Sequence, residues 1–200
     1  MPPTRAGGYN CGMDAFDAIA LRTSTRAFRA EGVPRAVIER LLAAAVRAPN
    51  HKLTEPWRFA VLSCASRDRF AELKRAHRAT RFPEPDAPEA AKAIDKTYRE
   101  ALGTPAFVVV MCAVSDDPVR REEDYAATMM AVQNLLIAAT AEGLGTYLRT
   151  GGIMTDPGVQ GLVQLPAGHR IVAVVSIGHV AGPGGPKQRT DPAQRTLWLD

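Results

Sequence analysis

Cysteine is scarce in this 200-residue chain: Cys11, Cys64 and Cys112 are odd in number, far apart, and never form a Cys-x-x-Cys pair. A disulfide framework, a zinc ribbon and a thioredoxin-type dithiol are thereby excluded. Unpaired thiols fit a reducing compartment. Cys64 and Cys112 each end an apolar run and read as small buried side chains. The opening MPPTRAGGYNCGMDAF lacks the continuous apolar core of a secretory leader. One stretch, Tyr125 to Ala141, is long and apolar enough to raise the question of a membrane span. Gln133 and Asn134 in its middle, with Asp124 and Glu142 at its flanks, argue for a buried core helix instead. A cytoplasmic protein with no membrane partner is expected.

Apolar residues make up 46% of the chain and charged ones 23%, which allows one sizeable core. A chain of this length buries about 70% of its unfolded surface. Disordered and collagen-like classes are excluded. The net charge is +4 and the isoelectric point near 9.2, with basic residues spread along the chain. Arg67, Arg69, Lys74, Arg75, Arg78 and Arg81 form the densest basic run. Few aromatics accompany it, so it reads as a solvated helix face, and no nucleic-acid partner is expected.

The pattern alternates helices and strands irregularly. Residues 1–13 are rich in Gly, Pro and polar groups and read as a flexible arm. Asp14 can cap a short helix with Phe16, Ile19 and Ala20 on one face. Val37, Ile38, Leu41, Leu42 and Ala45 repeat at helical spacing after Pro34, which suits the first helical position. A strand is predicted near Trp57 to Ser63, then a helix opened by Ser66 with Phe70 and Leu73 inward. A further helix carries Ile94, Tyr98 and Leu102 and ends at Gly103. Valine-rich Ala106 to Val114 reads as a central strand. A long helix is expected from about Arg121 to Glu142, a short strand near Thr146 to Leu148, and a last strand within His169 to Val180. The result is one α+β domain over 14–181, a central mainly antiparallel sheet flanked by helices. An extended tail, 182–200, cannot form its own core and either frays or lies on a partner surface.

Three polar clusters could carry chemistry. In Leu21-Arg22-Thr23-Ser24-Thr25-Arg26 the arginine forks and hydroxyls suit a phosphate; they equally suit a solvated helix end, where arginine meets the helix dipole. In Ala48-Pro-Asn-His-Lys-Leu-Thr-Glu-Pro-Trp57 two prolines fix a loop holding His51 and Glu55. These two lack a third partner for a metal, and no metal site is assigned. In Gly143-Leu-Gly-Thr-Tyr-Leu-Arg-Thr-Gly-Gly152 the glycines follow a helix and precede a strand, the reverse of a dinucleotide fingerprint.

Taken in order, LRTSTRAF, LLAAAVRAPNHKLTEPWRFAVL and DYAATMMAVQNLLIAATAEGLGTYLRTGG give the chain a resemblance, spanning Asp14 to Gly152, to the FMN-dependent nitroreductase family. The likeness is to its short, single-domain bacterial branch. It implies a homodimer with FMN at the interface and a long central helix packed on its twin. On this resemblance Arg22, Thr23, Ser24 and Arg26 would hold the ribityl phosphate. His51 and Glu55 would reach FMN from the other subunit, and Leu148, Arg149, Thr150 and Gly151 would border the flavin. NADH or NADPH would donate hydride, and a small electron-poor acceptor such as a quinone or nitroaromatic would take it, in alternating half-reactions. No side chain is nominated as catalytic.

Three positions depart from the family pattern. Thr23 replaces a second arginine, Glu55 replaces a glutamine, and Leu53 stands where larger members often place an asparagine. A charge at Glu55 beside the ring would lower the flavin potential unless it is protonated or paired. The same scaffold would also serve a specialised flavin dehydrogenase, dehalogenase or flavin-fragmenting enzyme.

Overall fold

The valine-rich run expected to be central is central. In the computed structural model, which describes residues 13–182 and 188–199, strand β2 (Ala106–Ala113) is buried over its first seven residues. It pairs antiparallel with β1 (Trp57–Ser63) on one side and β4 (His169–His179) on the other, and β3 (Leu144–Arg149) pairs antiparallel with β4. The order is therefore β1-β2-β4-β3, with β1 and β3 as the edges. Most of the expected arm, Cys11 and part of the tail (183–187 and Asp200) lie outside the described residues.

Strand alternation sends side chains into two cores. Ala106, Val108, Val110 and Cys112 pack with Ile38 and Leu41 of helix α2 (Arg35–Ala45) and with helix α5 (Pro118–Ala141). Phe107, Val109 and Met111 pack on the other face with Phe70 of α3 (Cys64–Ala79), Ala101 of α4 (Pro88–Leu102) and Val159 of α6 (Pro157–Leu162). Phe70 meets Phe107 edge to face, with ring centroids 4.9 Å apart. A bulge interrupts the alternation: Val110 pairs with Ala173 and Met111 with Ile171. Val172 is the extra residue, and both Val172 and Ala173 join the α5-side core.

Several element boundaries differ from expectation. Helix α5 starts a turn early, because Asp117 accepts a hydrogen bond from the Val119 N–H at 3.0 Å and Pro118 takes the first position. Helix α3 begins at Cys64 rather than at Ser66, whose hydroxyl accepts from the Ser63 N–H at 3.0 Å. Pro34 precedes α2 as its N-cap. The short α6 gives too little periodicity to be predicted. Cys64 is corrected: the chain turns from strand to helix there at φ 47°, which leaves the thiol exposed, whereas Cys112 is buried as expected.

Two helices present apolar surface that the described residues do not cover. In α5 the buried stripe runs Asp124, Ala127, Thr128, Ala131, Val132, Leu135, Leu136 and Ala139, a spacing of three and four. Tyr125 and Met130 lie off that stripe and are exposed. In α1 (Ala15–Leu21) only Ala18 is buried, while Phe16 is 84% and Ile19 54% exposed. The tail's Leu197, Trp198 and Leu199 are exposed as well. Among the described residues no helix is long and apolar enough to cross a membrane.

Leu135 is fully buried between α5 and the sheet. Leu135→Ala is expected to cost about 2–5 kcal/mol, read by urea denaturation at fixed protein concentration. A loss below about 1 kcal/mol would contradict this packing.

Candidate active site

The segment after α1 is laid along the β3 edge. Helix α1 stops at Leu21, and the chain extends so that Ser24 bridges Thr146 in parallel fashion. The Thr25 N–H donates to the Thr146 carbonyl at 2.9 Å, and the Arg29 N–H to the His179 carbonyl at 2.8 Å. Gly145 makes this approach possible. A Cβ there would lie 2.3 Å from Cγ2 of Thr25 and 2.7 Å from Cγ2 of Val180, so any side chain would push the segment off. The second glycine of the Gly143-Leu-Gly145 motif thus serves the docking of Arg22 to Arg26.

This docking forms a cavity of about 650 Å³ lined by Arg22, Thr23 and Ser24, with Ile19 and Ala20 of α1, Gln133 and Leu136 of α5, and Leu148 of β3. Arg189 from the tail lines it too. Two arginines and two hydroxyl residues share this lining with apolar side chains and the Gln133 amide: a donor set for a phosphate beside a surface for a conjugated ring. Arg189 is the residue that sequence reasoning missed. It follows a Gly/Pro-rich stretch with no periodicity, so its charge was the sole signal.

Strand alternation splits the segment from Leu148 to Gly151. Leu148 packs with the α5-side core, whereas Tyr147 and Arg149 belong to the face that carries α3 and α4. The Arg149 guanidinium lies 4.5 Å from the Tyr147 ring centroid and 4.0 Å from a carboxylate oxygen of Glu100. Arg26 stacks on the same ring at 4.6 Å and donates to the Tyr147 hydroxyl. The structure therefore separates Arg26 from Arg22, Thr23 and Ser24 and pairs it with Tyr147. Burial pulls the Arg149 pKa below its ordinary value, Tyr147 and Glu100 oppose that, and the Arg26 charge adds to it. Arg149, Thr150 and Gly151 line a second cleft that meets the first cavity at Leu148. Gly151 sits at φ 151°, a conformation essentially restricted to glycine.

The loop carrying His51 and Glu55 is elsewhere. It leads into β1, the edge opposite β3. Lys52, Leu53 and Glu55 all have positive φ, at 53°, 53° and 42°. Each such residue costs about 1–3 kcal/mol, so the loop needs external restraint. Asn50 accepts from the Glu55 N–H at 3.0 Å, Thr54 donates to buried Asp124 at 2.7 Å, and Nδ1 of His51 lies 2.9 Å from Glu123. His51 lines a third cavity, of about 580 Å³, with Asp117, Arg120 and Glu123. Within one chain, then, His51 and Glu55 are not brought to the cavity of Arg22. Along α3 the basic residues are largely engaged: Arg67 pairs with Asp68, Arg75 with Glu72, and Arg78 stacks on Phe82.

Three comparisons bear on this arrangement. The nitroreductase family pattern matches residues 19–179. The Bacillus subtilis (strain 168) protein named "Putative NAD(P)H nitroreductase YfhC" is 33% identical over 175 residues, covering 87% of this chain and 88% of that protein. A nitroreductase-like family protein from Bacillus cereus superposes with a TM-score of 0.82 at 28% identity, over 98% of this chain and 100% of that one. The fold is also that of the FMN-dependent nitroreductase NfnB from Mycobacterium smegmatis, solved in complex with NADPH. That superposition has a TM-score of 0.77 at 19% identity, over 93% of this chain and 98% of the other. With a four-stranded antiparallel sheet between two helical layers and a family match over most of its length, the chain belongs to the nitroreductase family.

Proposed function

We propose that the protein is an FMN-dependent oxidoreductase that uses NADH or NADPH to reduce small electron-poor acceptors such as quinones and nitroaromatics. The observation that carries this reading is the cavity at the end of α1, lined by Arg22, Arg189 and two hydroxyl residues together with Ile19, Leu136 and Leu148. FMN, when bound, would supply the two-electron redox chemistry between a nicotinamide and an acceptor. The protein's own residues bind and orient. Arg22 and Arg189 neutralise the phosphate, Thr23 and Ser24 add hydroxyl donors, and Leu148 and Leu136 exclude water from the ring's flank. Thr23 leaves one charge fewer than the family's arginine pair, and Arg189 makes up part of that deficit. Arg26 acts through Tyr147, fixing the face of β3 beside the ring. Thr150 and Gly151 border the ring, and the missing side chain of Gly151 allows close approach.

The site is completed by a second copy of the chain. The His51 loop lies at one edge of the sheet and the Arg22 segment at the other, so His51 and Glu55 serve the partner's flavin. The exposed face of α5 and the apolar face of α1 are the surfaces such a homodimer would cover. His51 tunes the flavin by a hydrogen bond rather than by transferring a proton. The free thiols Cys64 and Cys112 suit a cytoplasmic setting.

FMN-loaded protein should oxidise NADH or NADPH with menadione as acceptor, followed at 340 nm. Absence of turnover with quinones and nitroaromatics would favour a specialised flavin reaction on the same scaffold. Arg22→Ala should weaken FMN binding by about tenfold or more, from loss of a charge-assisted contact, with an unchanged far-UV spectrum. Equal FMN retention by the variant and the wild type would refute the phosphate assignment.

A further inference from the structure

Beyond Leu148, β3 ends against a cleft of about 480 Å³ between α3 and α4. Its charge is one-sided: Lys74, Arg78, Arg81 and Arg149 line it, with the His77 ring, against the single carboxylate of Glu100. Asp156 lies nearby, 3.5 Å from His77. Lys74 is only 8% exposed. Among the described residues its ammonium makes no hydrogen bond or ion pair, and meets only the Phe70 and Phe107 rings at 5.9 Å. Burial, with the Arg149 charge, pulls its pKa down to about 8 against the opposing pull of Glu100. The Nε of Arg149 is buried with no hydrogen-bond partner. A buried cation without a partner, beside a second cation whose Nε is unsatisfied, is costly unless an anion joins them.

We propose that this cleft is an anion subsite for the acceptor, holding the carboxylate of a compact aromatic substrate between Lys74 and Arg149. The inference rests on the flavin reading above and adds a substrate class to it. Thr150 and Gly151, which border the ring on that reading, line this cleft too, so an anion held here lies beside the flavin seat. A carboxylate on an aromatic ring is that close to the group being reduced. The 2′-phosphate of NADPH is at the far end of the dinucleotide from its nicotinamide and fits the position less well.

Benzoate binding to the purified protein, measured by isothermal titration calorimetry with benzamide as the neutral control, tests the subsite without depending on turnover. Wild type should bind benzoate saturably and benzamide far more weakly. Lys74→Met should weaken benzoate binding about tenfold or more, the size expected for a lost contact to a charged group. Arg78→Ala combined with Arg81→Ala, both on the exposed side of the cleft, provides a second test should the buried substitution disturb folding. In turnover, the ratio of kcat/KM for 4-nitrobenzoate over 4-nitrobenzamide should fall by a similar factor in Lys74→Met. Benzoate affinity untouched in both variants, or equal losses for acid and amide, would overturn the proposal. So would a loss confined to NADPH relative to NADH, which would assign the cleft to the donor's phosphate. Lys74-dependent benzoate binding by protein that takes up no FMN would support the anion site while refuting the flavin reading.

Discussion

The width of the sheet governs the rest of this structure. Four strands span three inter-strand gaps of about 4.8 Å, roughly 14 Å from edge to edge. The Arg22 segment is bonded to one edge strand and the His51 loop runs into the other. Both segments are fastened by backbone hydrogen bonds, by capping or by buried side chains, so neither swings across the core. A chain built this way offers two half-sites facing different directions. In the proposed dimer, pairing with a second copy would join unlike halves without changing either one.

The same constraint explains otherwise odd features of α5. One face fills the core at regular spacing, yet residues on other faces are apolar too. A helix that only covered a sheet would present charge to water there. Near its N-terminal end, Asp124 and Glu123 also hold Thr54 and His51. One helix therefore supports the core, restrains the loop with three left-handed residues, and carries the face available to a partner. Its Asp124 is buried because it anchors that loop, where a purely structural helix would place an apolar side chain.

Much of this was legible in the sequence where the signal was periodic. The valine run at β2, the stripe of α2 and the amphipathic α4 follow from spacing and hydropathy. The order of LRTSTRAF, APNHK…PW and GLGTYLRTGG carried the family resemblance. Features that depend on tertiary contact were not legible. Arg149 follows Leu148 in the sequence, and only the pleat of β3 sends them to opposite faces. Arg26 has the spacing of a phosphate ligand, and nothing in that spacing foretells its contact with Tyr147. Cys64 ends an apolar run and turns outward because the chain changes from strand to helix there. Arg189 sits in a segment with no pattern, and Lys74 looked like one of several solvated cations until α4 closed over it.

Each flavin site, on the proposed reading, needs two chains. Met130 is exposed on α5 and is not among the residues lining the Arg22 cavity, and Met130→Arg should separate the proposed dimer by placing a charge in the apolar face it would cover. The decisive measurement is the FMN content of that variant alongside its molar mass by light scattering, with far-UV spectra to verify folding. A folded monomer that has lost its FMN, although its phosphate-binding residues are intact, is the expected result. A folded monomer that binds FMN as tightly as the wild type would contradict it.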